Sequence, residues 1–116
     1  MYMRIRAAGI IVNNGRVLLV EHRKNEKSYW LLPGGGIRTG ETIQFALKRE
    51  LFEEIHVHVV VSKLLFVVET ISQQGVHIIQ PTYAMQANIE SPAIGGDRRV
   101  VGFKYFDETD LRDVII

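Results

Sequence analysis

A chain of 116 residues is long enough to bury one core but not two, so a single domain over residues 1–116 is expected. Apolar residues at 47% and charged residues at 23% exclude a disordered chain, and no run reaches the roughly 20 apolar residues of a membrane span. Fourteen Lys and Arg against thirteen Asp and Glu leave a net charge of +1, so no overall field recruits a long nucleic acid or an anionic membrane. The chain has no cysteine, so any metal must sit on oxygen or nitrogen. Together with an N-terminus that lacks an apolar leader, this reads as a cytoplasmic protein.

In chain order, the apolar stretch Arg4 to Val12, the turn signal Asn13-Asn14-Gly15 and the strand-like Arg16 to Val20 predict a hairpin. The polar run Glu21 to Ser28 reads as a loop. Tyr29 to Leu32 reads as a short strand stopped by Pro33, with Gly34, Gly35 and Gly36 forming a flexible bend. Ile43, Leu47, Leu51 and Ile55 recur every fourth position, which predicts a helix from about Thr42 to Glu54 with one apolar face. Two β-rich stretches, Val57 to Thr70 and Val76 to Ile79, flank Ser72-Gln73-Gln74-Gly75 and predict a second long hairpin. A strand through about Ala87, a loop with Ser91-Pro92 and Gly95-Gly96, a strand from Val100 to Phe106 and a short helix after Asp107 complete the count. Strands outnumber helices and do not alternate with them one for one, so the fold class is α+β: a mixed β-sheet sandwiched by helices.

The chemistry concentrates between Gly35 and Val57. On a helix Glu50, Glu53 and Glu54 lie at i, i+3 and i+4, so three carboxylates share a face at the cost of mutual repulsion. Carboxylate oxygens are the ligands that Mg²⁺ or Mn²⁺ prefers, and a diphosphate supplies further oxygens to the same ion. Arg49 is placed to pair with Glu53 one turn on. The spacing Gly35, five residues, Glu41, seven residues, Arg49-Glu50-Leu51, any residue, Glu53-Glu54 resembles the signature of the Nudix (MutT-like) family at every fixed position except the last Gly, where His56 stands. Chance agreement at that level falls on the order of a few times in a million.

The resemblance implies a Nudix fold and a Mg²⁺- or Mn²⁺-dependent pyrophosphohydrolase acting on a small nucleoside diphosphate derivative. It also implies a metal set of Glu50, Glu53, Glu54 and the Gly35 carbonyl, catalytic roles for Glu53 and Glu54, and Arg49 as their brace. Gly34, Gly35 and Gly36 are expected at the substrate. The general base is expected among Glu53, Glu54 and a loop acid, with Asp97 favoured over Glu90 and Glu69. Marks of three subfamilies are missing: Ser72 stands near where ADP-ribose hydrolases carry proline, Gln73-Gln74 stand where dinucleoside polyphosphate hydrolases carry tyrosine, and the coenzyme A pattern is not present upstream. Nucleoside triphosphates, nucleotide sugars and ADP-ribose all stay open, and the minimal length of the chain favours nucleoside triphosphates or similar small nucleotides.

His56 is expected to end the helix in a left-handed conformation at a cost of about 1 kcal/mol, and to serve as cap rather than ligand. His22, His58 and His77 show no ligand spacing. Tyr29, Trp30, Tyr83 and Phe103 are candidates for stacking on a base, Trp30 and Phe103 being equally suited to the core. The stretch Val57 to Val68 is either core or the surface of a homodimer. A regulatory nucleotide-binding module without activity is the rival reading, and the adjacent basic pairs Arg23-Lys24 and Arg98-Arg99 offer thin support for an RNA-end hydrolase.

Overall fold

The computed structural model describes residues 2–87 and 95–114. Strands β1 (Tyr2–Ile10), β2 (Val12–Asn13), β3 (Arg16–Lys24), β4 (Lys27–Leu31) and β5 (Gly34–Gly36) precede helix α1 (Ile43–Ile55). Strands β6 (Val59–Ile71), β7 (Val76–Ala87) and β8 (Val100–Phe106) and helix α2 (Glu108–Val114) follow. The α+β class holds, with the strands divided between two sheets. One is mixed, in the order β5-β1-β7-β6, because β1 runs parallel to β7 while its other neighbour, β5, is antiparallel. The other is antiparallel and centred on β3, which pairs with β2, β4 and β8.

Three local expectations change. The first hairpin is shorter than expected, since β1 belongs to the mixed sheet and only Val12-Asn13 turn back onto Arg16-Val17. Glu21 to Ser28 is not a loop: β3 runs on to Lys24, and Asn25 and Glu26, both with positive φ, form the tight turn into β4. Polar side chains there leave the backbone free to pair, which composition does not register. Gly34 to Gly36 is not a flexible bend but β5, laid antiparallel on Arg6 to Ala8. Gly34 has φ +145 and a Cβ on it would overlap the Ala7 carbonyl, so only glycine permits this approach.

Helix α1 starts at the Thr42 cap, whose hydroxyl accepts from the Phe45 N–H, and ends at His56. Leu47, Leu51 and Ile55 are fully buried among Leu18, Val20 and Val57, and each such burial is worth about 2 kcal/mol. That burial sets the helix's rotation and therefore where its carboxylates point. The β6–β7 hairpin forms as expected, and β8 and α2 fall where the sequence puts them. Among the described residues no helix is long and apolar enough to cross a membrane.

Candidate active site

The buried face of α1 carries acids as well as hydrocarbon. Glu50 is 7% and Glu54 is 1% exposed, both against β5, while Glu53 is turned outward with 41% of its side chain exposed. The Gly34 N–H donates to Glu54 Oε1 at 2.9 Å, and a Cβ on Gly35 would overlap the Glu50 carboxyl group. The glycine strand is thus cut to the shape of the two carboxylates. Gly36 contributes its carbonyl, which accepts from Arg49 at 3.1 Å.

Asp97 arrives from the loop before β8. Its N–H donates to the Glu53 carbonyl and the Gly95 N–H to the Glu54 carbonyl, both at 3.0 Å, so the loop hangs from the end of α1. Carboxylate oxygens of Glu50, Glu54 and Asp97 then lie within 4.8 Å of one another. Glu53 stands outside this group. Glu69 also stands apart, tied to His77 at 2.7 Å on the β6–β7 hairpin, and Glu90 lies outside the described residues.

Arg49 binds more than its expected partner. It meets Glu53 at 3.3 Å, but its closer bonds go to Glu41 at 2.7 and 2.9 Å and to Glu50 at 2.8 Å. These bonds from Arg49, helped by the Arg38 N–H, hold the Glu41 carboxyl down at about 2. Glu41 was visible in the sequence spacing, but its role as anchor of Arg49 was not.

Burial raises the pKa of Glu50, with the hydrogen bond from Arg49 opposing and the charge of Glu54 adding to the rise. Burial also pushes Asp97 up, but its bonds to Arg99 outweigh this and leave it below the usual range. A crowded carboxylate group with one member resisting ionisation calls for a cation.

Sequence reasoning missed the residues that the strands bring to the site, His22, Arg6 and Arg4 among them. His22 on β3 is 6% exposed, and its Nε2 lies 3.4 Å from Glu54 Oε2. Among the described residues neither atom has a hydrogen-bond partner. Arg6 on β1 donates to Gln80 Oε1 at 2.9 Å and to the Leu32 carbonyl at 2.8 Å, and burial lowers its pKa against the pull of Glu54 and Glu50. Neither residue sits in a motif; only strand pairing brings them here. Both line a cleft of about 400 Å³ that also receives Arg4, Arg99, Tyr29, Gln80 and the three glycines. Of the other aromatics, Trp30 packs edge-on against Phe106, and Tyr83 and Phe103 pack on the core.

His56 adopts the left-handed conformation expected of it, with φ 57 and ψ 37. Its N–H caps the Leu51 and Phe52 carbonyls, and its ring stacks on Phe52 at 4.5 Å between centroids.

Fold and site together define a class of protein: an α+β domain in which an arginine-braced acidic helix faces a glycine strand, with a basic cleft alongside. The NUDIX domain family model matches residues 3–114, and the chain belongs to the Nudix family. A MutT Nudix hydrolase from Burkholderia pseudomallei superposes with a TM-score of 0.84 at 31% identity, over 96% of this chain and 88% of that one. A Nudix hydrolase from Nitrosomonas europaea superposes at 0.87 and 22% identity, over 96% and 76%, which speaks for the fold alone.

Among characterised relatives, an RNA pyrophosphohydrolase from Baumannia cicadellinicola subsp. Homalodisca coagulata is 40% identical over 47 residues, 40% of this chain and 30% of the relative. The nucleoside triphosphatase NudI of Enterobacter sp. (strain 638) is 40% identical over 58 residues, 47% of this chain and 41% of the relative. These alignments therefore span less than half of either relative's length.

Proposed function

We propose that this protein is a metal-dependent pyrophosphohydrolase that cleaves a phosphoanhydride bond in a small nucleotide. The reading covers one domain over residues 1–116 and a cytoplasmic setting. The observation that carries it is the convergence of Glu50, Glu54 and Asp97 within 4.8 Å, next to a cleft lined by Arg4, Arg6 and Arg99. The carboxylates and the unpartnered Glu54 Oε2 fit a hard divalent ion, Mg²⁺ or Mn²⁺, held by Glu50, Glu54 and Asp97 with the Gly35 carbonyl as a further ligand. Such an ion, when bound, supplies charge neutralisation at the phosphates and a lowered pKa for water.

The chain's own groups do the rest. Arg4, Arg6 and Arg99 bind phosphate oxygens, and Tyr29 offers its ring at the cleft wall. Glu53, the most solvent-accessible of the helix acids, accepts the proton of the attacking water, held in place by Arg49 at 3.3 Å and Arg38 at 3.8 Å. Glu54, hydrogen-bonded to Gly34, serves as ligand rather than base. Three guanidinium groups on one cleft suit a triphosphate better than a diphosphate ester, which favours nucleoside triphosphates. The relatives' names make an RNA 5′-triphosphate end the second substrate to try.

The test is phosphate and pyrophosphate release from nucleoside triphosphates, nucleotide sugars, ADP-ribose and a 5′-triphosphate oligonucleotide, with Mg²⁺ or Mn²⁺. Turnover should require the ion and fall on the order of 10²-fold or more in Glu53→Gln and in Glu54→Gln. Nucleotide binding without turnover on any substrate would instead make the protein a regulatory module.

A further inference from the structure

Arg49 and Arg99 both bond to acids of this site, but they are held differently. The Arg49 side chain is 13% exposed and meets Glu41 at 2.7 Å, the geometry of a fixed brace. The Arg99 side chain is 71% exposed, and its Nε and Nη2 donate to the two oxygens of Asp97 at the longer distances of 3.3 and 3.1 Å. Charge-assisted bonds of full strength run to about 2.7–2.9 Å, and exposed pairs are weak because water competes for both partners. The Arg99–Asp97 pair is formed but readily exchanged.

Asp97 is the one member of the acidic group that comes from a loop, and its side chain is only 10% exposed. Backbone groups seat it: its own N–H donates to the Glu53 carbonyl and the Arg99 N–H donates to its Oδ1, both at 3.0 Å. The Arg99 side chain is therefore not needed to place Asp97, and what it adds is a charge that offsets the carboxylate. A carboxylate already offset by a guanidinium attracts a divalent ion less. Arg99 also stands between two fields, since Glu50 and Glu54 attract it and Arg6 repels it. It lines the cleft together with Arg4 and Arg6, so the group that covers Asp97 also faces the place proposed for phosphate. Phosphate oxygens match the guanidinium fork as a carboxylate does, and they carry more charge.

We propose that Arg99 changes partner on binding: it holds Asp97 in the free protein and passes to a substrate phosphate, which releases Asp97 to the divalent ion. Ion and phosphate then favour each other through Arg99, beyond any direct contact between them, and by linkage the effect is mutual. The inference rests on the proposed metal site and on phosphate as the ligand of the cleft, but not on which nucleotide carries it.

It is tested by calorimetric titration of the whole chain with Mn²⁺ alone, at about 0.15 M salt, where long-range charge effects are screened. Arg99→Ala should bind Mn²⁺ about two- to fivefold more tightly than the wild type, the range that an exposed ion pair commands. The gain should vanish when Asp97→Asn is already present, because the double-mutant cycle isolates what passes between the two side chains. Asn keeps an acceptor for the Arg99 N–H and so leaves the loop in place. Saturating inorganic phosphate should raise the Mn²⁺ affinity of the wild type by a larger factor than that of Arg99→Ala.

Unchanged or weaker Mn²⁺ binding by Arg99→Ala would overturn the inference and make the arginine a support of Asp97. An undiminished gain in the Asp97→Asn background would overturn it in favour of plain charge repulsion, and an equal phosphate effect in both proteins would overturn the exchange of partners. Each of these leaves the proposed function standing. No Mn²⁺ bound by the wild type would overturn the inference and the metal dependence together, and the hydrolysis assay separates that case.

Discussion

Gly35 shows how narrow the tolerances of this site are. A methyl group there would occupy the space of the Glu50 carboxyl, so Gly35→Ala should displace a ligand while leaving the core intact. The expected outcome is a thermal midpoint within a few degrees of wild type but Mn²⁺ affinity and kcat/KM down by at least tenfold. Full retention of ion binding would remove Glu50 from the ligand set. Glu41 makes a pH prediction. Its carboxyl sits at about 2 when folded, below the ~4.3 of an unfolded chain, so ionised Glu41 contributes stability above about pH 4. That contribution is lost as pH falls from about 4 toward 2. The gap in thermal midpoint between wild type and Glu41→Gln should therefore close over that range, and a constant gap would detach the pair from stability. Arg49, Glu50, Glu53 and Glu54 were legible because helical periodicity relates neighbours on one segment, and Glu41, which lies just before the helix, was legible from its spacing to Gly35 and Arg49. His22 and Arg6 were not, because each is brought in by a strand paired with distant sequence, and a lone His or Arg carries no record of its partners.

Helix α1 illustrates a departure from a family pattern that is compensated locally. Left-handed His56 carries a backbone cost, but its ring stacks on Phe52, and such a contact is worth about 0.5–1.5 kcal/mol. His56→Gly should therefore raise stability by less than about 1 kcal/mol in urea unfolding, whereas His56→Val, β-branched and unable to stack, should lower it by about 1–2 kcal/mol. A large gain with Gly would mean that the stacking contributes nothing. The helix ends, the β6–β7 hairpin and β8 were readable because apolar periodicity and turn residues act locally. The β3–β4 hairpin was not, since its turn uses Asn25-Glu26 and its strands are polar at the tip.

At the scale of the whole molecule, β6 stands at the edge of the mixed sheet with Val60, Leu64, Phe66, Val67 and Ile71 each at least 45% exposed. A long apolar edge strand is a liability in a monomer. Of the two roles that the sequence leaves open for Val57 to Val68, core or homodimer surface, this exposure favours the second, and a homodimer formed through that strand should give twice the monomer mass in light scattering. Phe66→Lys combined with Val67→Lys should weaken the dimer by on the order of 10²-fold, and an unchanged mass would place the interface elsewhere. The parallel pairing of β1 with β7 has a different consequence. Residues 2–10 cannot find their partner until residues 76–84 exist, so a chain made from its N-terminus holds a central strand of its own sheet open for most of its synthesis. The backbone hydrogen bonds within helix α1 and within the β3–β4 hairpin close between near neighbours in sequence, so these elements can begin to form before β1 is paired. The complete site, with β5 laid on β1 and β1 on β7, therefore needs the long-range closure of the mixed sheet as well as the local formation of the helix.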